Sequence, residues 1–219
     1  MLKLAQTELF RDIDQDDIAK IMKCTRAVTK EYQPGQYIFR EEDTPEFLYL
    51  ILEGNVSMVK DFASGRQDIL YIASMGDVFG EDFLKAGQGG YWFDAVAEAR
   101  SVILLFPWRF FFEFCSNACG HHQQINRNML EILSAKNLSM MKKLHILSSV
   151  TLREKICVWL LENLENGSVK LTMNREQLAA YLGVTRPSLS RELMRMQKEQ
   201  LITVDKKQIR ILNPDELYV

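Results

Sequence analysis

The amino-acid sequence predicts an α+β protein in three parts. An N-terminal β-roll, of the double-stranded β-helix or jelly-roll kind, precedes a long dimerisation helix and a C-terminal winged helix-turn-helix. Three observations carry this expectation. Residues 25–106 break into short β-rich segments with glycine-bearing turns between them, the texture of a closed roll. Leu130, Leu133, Asn137, Met140, Leu144 and Leu147 follow one another at spacings of 3, 4, 3, 4 and 3, a heptad seam. Residues 171–212 read as two short helices around Gly183, then a two-stranded hairpin. The expected domains are 1–120, 121–147 and 148–219.

Composition bounds the function. At 219 residues, 47% hydrophobic and 26% charged, the chain has the make-up of a soluble globular protein large enough for two cores. A net charge of −2 argues against a polyanion binder over the whole surface. The charge is uneven, however. Residues 148–219 hold 11 Lys and Arg against 9 Asp and Glu, net +2, and the remainder is net −4. The opening MLKLAQTELFRDID lacks a secretory pattern. No apolar run approaches the ~20 residues that cross a bilayer. The expected location is the cytoplasm, with no membrane partner. Cys24, Cys115, Cys119 and Cys157 have no disulfide-framework spacing.

In chain order, residues 8–24 are expected to form an amphipathic helix. Leu9, Phe10, Ile13, Ile18, Ile21 and Met22 line its apolar side, and Asp14 is a potential N-cap. β-Rich stretches follow at 37–39, 47–53, 55–60, 67–73 and 101–106. Turn signals divide them at Pro34-Gly35, Glu53-Gly54-Asn55, Ser64-Gly65, Met75-Gly76-Asp77 and Gln88-Gly89-Gly90. Pro107 opens a helical region: a short helix at 108–115, a break at 116–120, and a long helix from about 121 to 147. Asn137 holds an a position of the seam, where one polar residue sets register and favours two strands. Ile125, Met129 and Ile132 form a second stripe, expected to pack on the chain's own roll. A seam buried inside a monomer is the alternative. Ser148-Ser149-Val150 reads as a hinge. Thr151 then caps a helix at 152–165, with Ile156, Trp159, Leu160 and Leu164 on its apolar face.

The C-terminal stretch is the most specific. Asn174 and Gln177 have capping-box spacing, and Leu178, Ala179 and Leu182 give that helix one apolar face. Gly183 suits a tight turn. Thr185 caps a second helix with Pro187 in its first turn. Leu189, Leu193 and Met196 form its buried face, and Arg186, Ser188, Ser190, Arg191 and Arg195 lie opposite. Such a face hydrogen-bonds phosphates and base edges in a major groove. A solvated helical hairpin would carry a similar charge, but not the small Ala179, the turn glycine and the anchors together. The hairpin of 201–204 and 209–212 supplies a wing.

With PGQYIF at 34–39, LEGNVSMV at 52–59, GDVFGED at 76–82 and QLAAYLGVTRPSLSREL at 177–193, the whole chain resembles the CRP/FNR family of bacterial transcription regulators. The resemblance implies a ligand- or signal-sensing roll and a homodimer that binds a palindromic operator, without enzymatic activity. Its implied partners are double-stranded DNA, a second copy of the chain and a small-molecule effector, with RNA polymerase a further candidate.

Residue by residue, the resemblance shows departures. The cyclic-nucleotide subgroup holds its ligand with a Gly-Glu pair and an Arg-Ser pair. Gly80 and Glu81 match the first, but Tyr91 and Trp92 stand in the second. Two aromatics cannot replace the cation a phosphate diester needs. The adenine-facing Thr-Ser pair of the long helix falls on Met140 and Met141. Cyclic AMP is therefore not the expected effector. Phe79, Phe83, Tyr91, Trp92 and Phe93 suit a haem or a small aromatic molecule, and equally a roll whose aromatics are simply core. The oxygen-sensing subgroup uses an N-terminal cysteine cluster, and Cys24 stands alone there. Cys115, Cys119, His121 and His122 form the one stretch with soft and imidazole ligands. Packing is the expected use of these four, and no metal site is assigned. His145 is expected to be a helix-end cation.

In the recognition helix the family's Glu-x-x-Ser-Arg set becomes Pro187 to Arg191. Ser190 and Arg191 match, and Pro187 replaces the glutamate that accepts from cytosine. Arg186 and Arg191 are assigned to guanine or phosphate, and Ser188 and Ser190 to bases or backbone. Thr172, Arg175, Lys206 and Lys207 are assigned to phosphates. Two other function classes compete. A catalytic cupin-like roll would need a metal triad, and no histidine lies between Met1 and Gly120. A constitutive DNA-binding dimer would use its roll only as a platform.

Overall fold

Asp14 opens the first helix: its side chain accepts from the Asp17 amide, and α1 runs Gln15–Thr25. The expected helix over 8–24 is thus interrupted. Leu4–Gln6 and Glu8–Phe10 are single 3-10 turns, and Asp12, at φ 60°, takes the backbone out of helical geometry before α1 begins. The computed structural model describes residues 4–63, 67–83, 89–112, 119–171 and 173–217. The chain divides into two units, Met1–Leu133 and Ser134–Val219.

Among the described residues, eight strands build the first unit: β1 (Val28–Tyr32), β2 (Tyr37–Phe39), β3 (Phe47–Glu53), β4 (Asn55–Asp61), β5 (Gln67–Ser74), β6 (Val78–Phe79), β7 (Asp94–Ala97) and β8 (Ser101–Pro107). They form two four-stranded antiparallel sheets, ordered β1-β8-β3-β6 and β2-β7-β4-β5. β1, β6 and β7 lie outside the stretches read from sequence. Alternation explains the near-continuous apolar runs of β3 and β8. Tyr49, Ile51, Ile103 and Leu105 turn toward the second sheet, meeting Phe39, Val56, Met58 and Ala95. Leu48, Leu50, Leu104 and Phe106 turn the other way, onto Leu9, Phe10, Ile18, Ile21, Ile125 and Met129. Gly54, at φ +88°, makes the β3–β4 turn, and a Cβ there would strike Arg100 and Ser101.

α2 (Arg109–Phe112) is followed by residues 113–118, so the remainder of the expected helix at 108–115 and most of the break lie outside the described residues. α3 runs Gly120–Ser148. Gly120 is therefore its first residue rather than a break ahead of the histidines. The expected roll-facing stripe packs as read: Ile125 is fully buried, Met129 is buried, and Ile132 packs against the same cluster. Buried Asn128 ties α3 to the N-terminal turns, its Nδ2 donating to the carbonyls of Leu9 (3.0 Å) and Arg11 (2.7 Å). Arg11 also pairs with Glu131.

The second unit has α4 (Leu152–Glu162), β9 (Ser168–Lys170), α5 (Arg175–Tyr181), α6 (Arg186–Lys198), β10 (Ile202–Val204) and β11 (Gln208–Ile211). Thr151 and Glu154 form a capping box at α4, which ends earlier than 165 because Asn163 leaves helical geometry as its C-cap. The expected hairpin gains a third strand, in the order β10-β11-β9 with Ile209 opposite Val169. Ile156, Trp159, Leu160, Leu178, Ala179, Leu189, Leu193, Met196, Ile202 and Ile209 bury themselves in one core.

Candidate nucleic-acid interface

Capping and turn chemistry set the pair α5–α6. The Asn174 side chain accepts from the Gln177 amide at 2.9 Å, and Gln177 Oε1 accepts from the Asn174 amide at 2.9 Å. Gly183, at φ +66°, makes the turn, where the Val184 amide bonds back to the Ala179 carbonyl at 2.9 Å. The Thr185 side chain caps α6 by accepting from the Ser188 amide, and Pro187 sits in the first turn. Leu189, Leu193 and Met196 are buried, which turns the opposite face of α6 to solvent.

Arg191 is exposed on that face with Ser190 half-buried at its edge, and Arg186 is exposed at the first residue of the helix. Arg186 reaches Glu176 at 3.4 Å, an exposed pair that leaves it available to a phosphate. Arg191 Nε donates to the Pro187 carbonyl at 3.3 Å. The Ser188 hydroxyl lies 2.9 Å from that of Thr185, so it is engaged at the helix cap. Lys206 and Lys207 are exposed in the β10–β11 turn. Thr172 lies outside the described residues. Arg175 lies between α6 and the wing, lining a cleft of about 180 Å³ with Ser190, Leu193, Met194, Gln197 and Val204. Its Nη1 is buried with no hydrogen bond among the described residues, and burial holds the guanidinium below its ordinary pKa.

One part of this module is invisible to local spacing. Arg153 of α4 donates to Glu192 of α6 at 2.6 Å and to Glu199 at 2.7 Å, and Arg195 also pairs with Glu199 at 3.1 Å. These bonds raise the Arg153 pKa and hold Glu199 below the ordinary carboxylate range, with the Arg153 bond the main cause for Glu199. The clamp turns Glu192, the one acid within α6, away from the exposed arginines. Gln197 Oε1 accepts from the Val204 amide at 3.1 Å and fixes the wing to the same helix.

The aromatic residues of the roll come together in part. Phe39 stacks on Tyr91 with centroids 3.6 Å apart, Tyr49 stacks on Phe79 at 4.9 Å, and Phe83 meets Tyr91 edge-on at 4.7 Å. Burial pushes the Tyr91 phenol up to about 12. Glu81 is buried. Trp92 does not join this lining. It is 54% exposed in the bend that precedes β7, between buried Tyr91 and Phe93, and meets only the Phe93 ring edge-on, at 5.0 Å, among the ring contacts of the described residues. Met140 and Met141 are exposed on α3. Along the seam, Leu130, Met140 and Leu144 are each about two-thirds exposed, and Leu133, Asn137 and Leu147 are also exposed. The seam side chains are thus exposed along α3 among the described residues.

Cys115 lies outside the described residues. His122 donates from Nε2 to the Phe110 carbonyl at 2.8 Å and stacks on that ring, and His121 faces Asp17 at 3.4 Å. Among the described residues no three His, Cys, Asp or Glu side chains gather as for a metal ion. His145, in the last turn of α3, lies 3.3 Å from Glu162. No helix among the described residues is long and apolar enough to cross a membrane.

Residues 29–118 match the cyclic nucleotide-binding domain model, and residues 154–218 match that of the Crp-like helix-turn-helix domain. The regulatory protein HlyX of Actinobacillus pleuropneumoniae is 29% identical over 200 residues, covering 87% of this chain and 80% of that protein. The fumarate and nitrate reduction regulatory protein of Vibrio cholerae is 26% identical over 196 residues, covering 86% and 76%. Among solved structures, the catabolite activator protein of Thermus thermophilus shares the fold with a TM-score of 0.55 at 20% identity, covering 96% of each chain. A roll of two antiparallel sheets, a long helix, and a winged pair of helices with its arginines outward accord with these matches; the chain belongs to the CRP/FNR family of DNA-binding transcription regulators.

Proposed function

We propose that this chain is a homodimeric, signal-responsive regulator that reads an inverted-repeat operator with two copies of α6. It acts in the cytoplasm, by binding rather than by catalysis, and RNA polymerase is the partner through which bound protein would alter transcription. The observation that carries this is the surface of α6: Arg191 is exposed on the side opposite the buried Leu189, Leu193 and Met196, Ser190 is half-buried beside it, and Arg186 is exposed at the first residue of the helix. Guanine offers two acceptors that match an arginine fork, and phosphates take the remaining cations. The exposed seam of Leu130, Leu133, Asn137, Met140, Leu144 and Leu147 supports pairing, because an apolar heptad stripe left in water favours a second helix. Two α6 helices would then enter successive major grooves about one helical turn apart.

The effector is not cyclic AMP on this proposal. Where a diester would need a cation, Tyr91 is buried among rings and Trp92, half-exposed, packs edge-on against Phe93. A small aromatic effector or a haem would have to displace stacked rings. That stacking favours a second reading, a constitutive DNA-binding dimer whose roll takes no effector. Thermal shifts with cyclic AMP, haemin and aromatic acids separate the two. Stabilisation by haemin or an aromatic acid, with a change in duplex affinity, supports the signal-responsive form. Full duplex binding with no stabilisation by any of them supports the constitutive one. Selection of duplexes from a random library by the intact protein tests the shared core. Enrichment of inverted repeats is expected, and enrichment of nothing would overturn it.

A further inference from the structure

α6 carries an apolar side chain that its packing does not use. Leu189, Leu193 and Met196 define the buried face. At about 100° per residue, Pro187, Arg191, Met194 and Lys198 point most directly away from it. All four are exposed, and Met194 is 58% exposed. A single exposed methionine is ordinary on a protein surface. This one follows Ser190 by four residues and Arg191 by three, so it is their neighbour on the same helix face. It also borders the cleft it shares with Arg175, Ser190, Gln197 and Val204. The acid within α6, Glu192, is drawn aside by Arg153 at 2.6 Å. What remains beside the two recognition arginines is a mixed surface of cations, one hydroxyl and a flexible thioether.

We infer that Met194 is a specificity-determining residue that reads a thymine methyl in the major groove. This rests on α6 being the groove-reading helix. Among the four bases only thymine presents an apolar group on the major-groove edge, while the other positions offer hydrogen-bond donors and acceptors. A methionine pressed onto those polar edges strips water from them and returns no hydrogen bond. Against a thymine C5-methyl it buries apolar surface on both sides. Its unbranched side chain adapts to the local position of that methyl. Met194 therefore both favours thymine and disfavours the other bases at one position of each half-site.

The test uses the intact protein and an inverted-repeat duplex that it has itself enriched from a random library. Each thymine of the half-site is replaced in turn by uracil, which lacks only the methyl, in the wild type and in Met194→Ala. One replacement is expected to weaken wild-type binding about fourfold per half-site, the value of one buried methylene-sized group. The same replacement should leave Met194→Ala nearly unchanged, and Met194→Leu should restore part of the discrimination. Identical uracil profiles in wild type and Met194→Ala would overturn the inference, as would wild-type indifference to every replacement. Failure to enrich any duplex would instead overturn the groove-reading role of α6 and, with it, the assignment of Met194.

Discussion

Replacing Arg153 with alanine separates α4 from α6 at one point. The Arg153 side chain is 28% exposed and that of Glu192 17%, with Nε and Oε1 2.6 Å apart. This pair lies between two measured regimes: exposed ion pairs contribute about 0.2–1 kcal/mol, and breaking a buried one costs about 3–5 kcal/mol. A cost near 2 kcal/mol is expected for Arg153→Ala, much of it from leaving the Glu192 carboxylate half-buried without its partner. Trp159 is buried in the core of the same unit and supplies a fluorescence signal for urea unfolding. A double-mutant cycle with Glu192→Gln isolates the pair, and a coupling of about 1–2 kcal/mol is predicted. Because the clamp also aims Glu192 away from the exposed arginines, Arg153→Ala should weaken duplex binding while Glu192→Gln recovers part of it. A coupling near zero, or duplex affinity untouched by Arg153→Ala, would refute the clamp.

Three further outcomes follow from the same geometry. Gly183→Ala places a Cβ in left-handed backbone at φ +66°, 3.2 Å from Leu147 Cδ2, and should destabilise the second unit by about 1–2 kcal/mol in the Trp159 unfolding assay, with Gly183→Asn milder. Glu199 has its pKa lowered by Arg153, so its contribution is present above the unfolded carboxylate pKa and is lost as pH falls through the lower folded value. Glu199→Gln should therefore lower stability near neutrality, where that contribution is present, change little below the window, and so flatten the acid limb; an unchanged acid limb contradicts the assignment. Leu144→Glu puts a charge into the seam at a side chain 64% exposed in the single chain, so sedimentation should detect monomer with an unaltered Trp159 signal, and an undiminished dimer would move the interface elsewhere.

Much of the interface was legible because its signals are local. The Asn174–Gln177 box, the Thr185 cap and the Gly183 turn are each set by residues within a few positions of one another, and all three recur as hydrogen bonds or backbone angles. The parts that escaped depend on distant partners. β1, whose residues are mostly exposed and polar, is a strand because β8 pairs with it, Val28 opposite Leu105. β9 has three residues and exists through Val169 opposite Ile209. Arg153 and Glu192 lie 39 positions apart, so helical spacing carries no sign of their bond. The resemblance places Trp92 in the effector pocket beside Tyr91, but the bend ahead of β7 leaves it 54% exposed while Tyr91 and Phe93 are buried. The interruption before α1 rests on the positive φ of Asp12, which apolar periodicity does not record.

The most direct test of the central claim is sedimentation of the intact protein with enriched duplexes whose two half-sites are moved apart in steps of single base pairs. Two copies of the chain per duplex are predicted, with affinity greatest when the half-site centres lie about one helical turn apart and lowest near half a turn more. One copy per duplex, or affinity indifferent to the spacing, would contradict a paired presentation of α6.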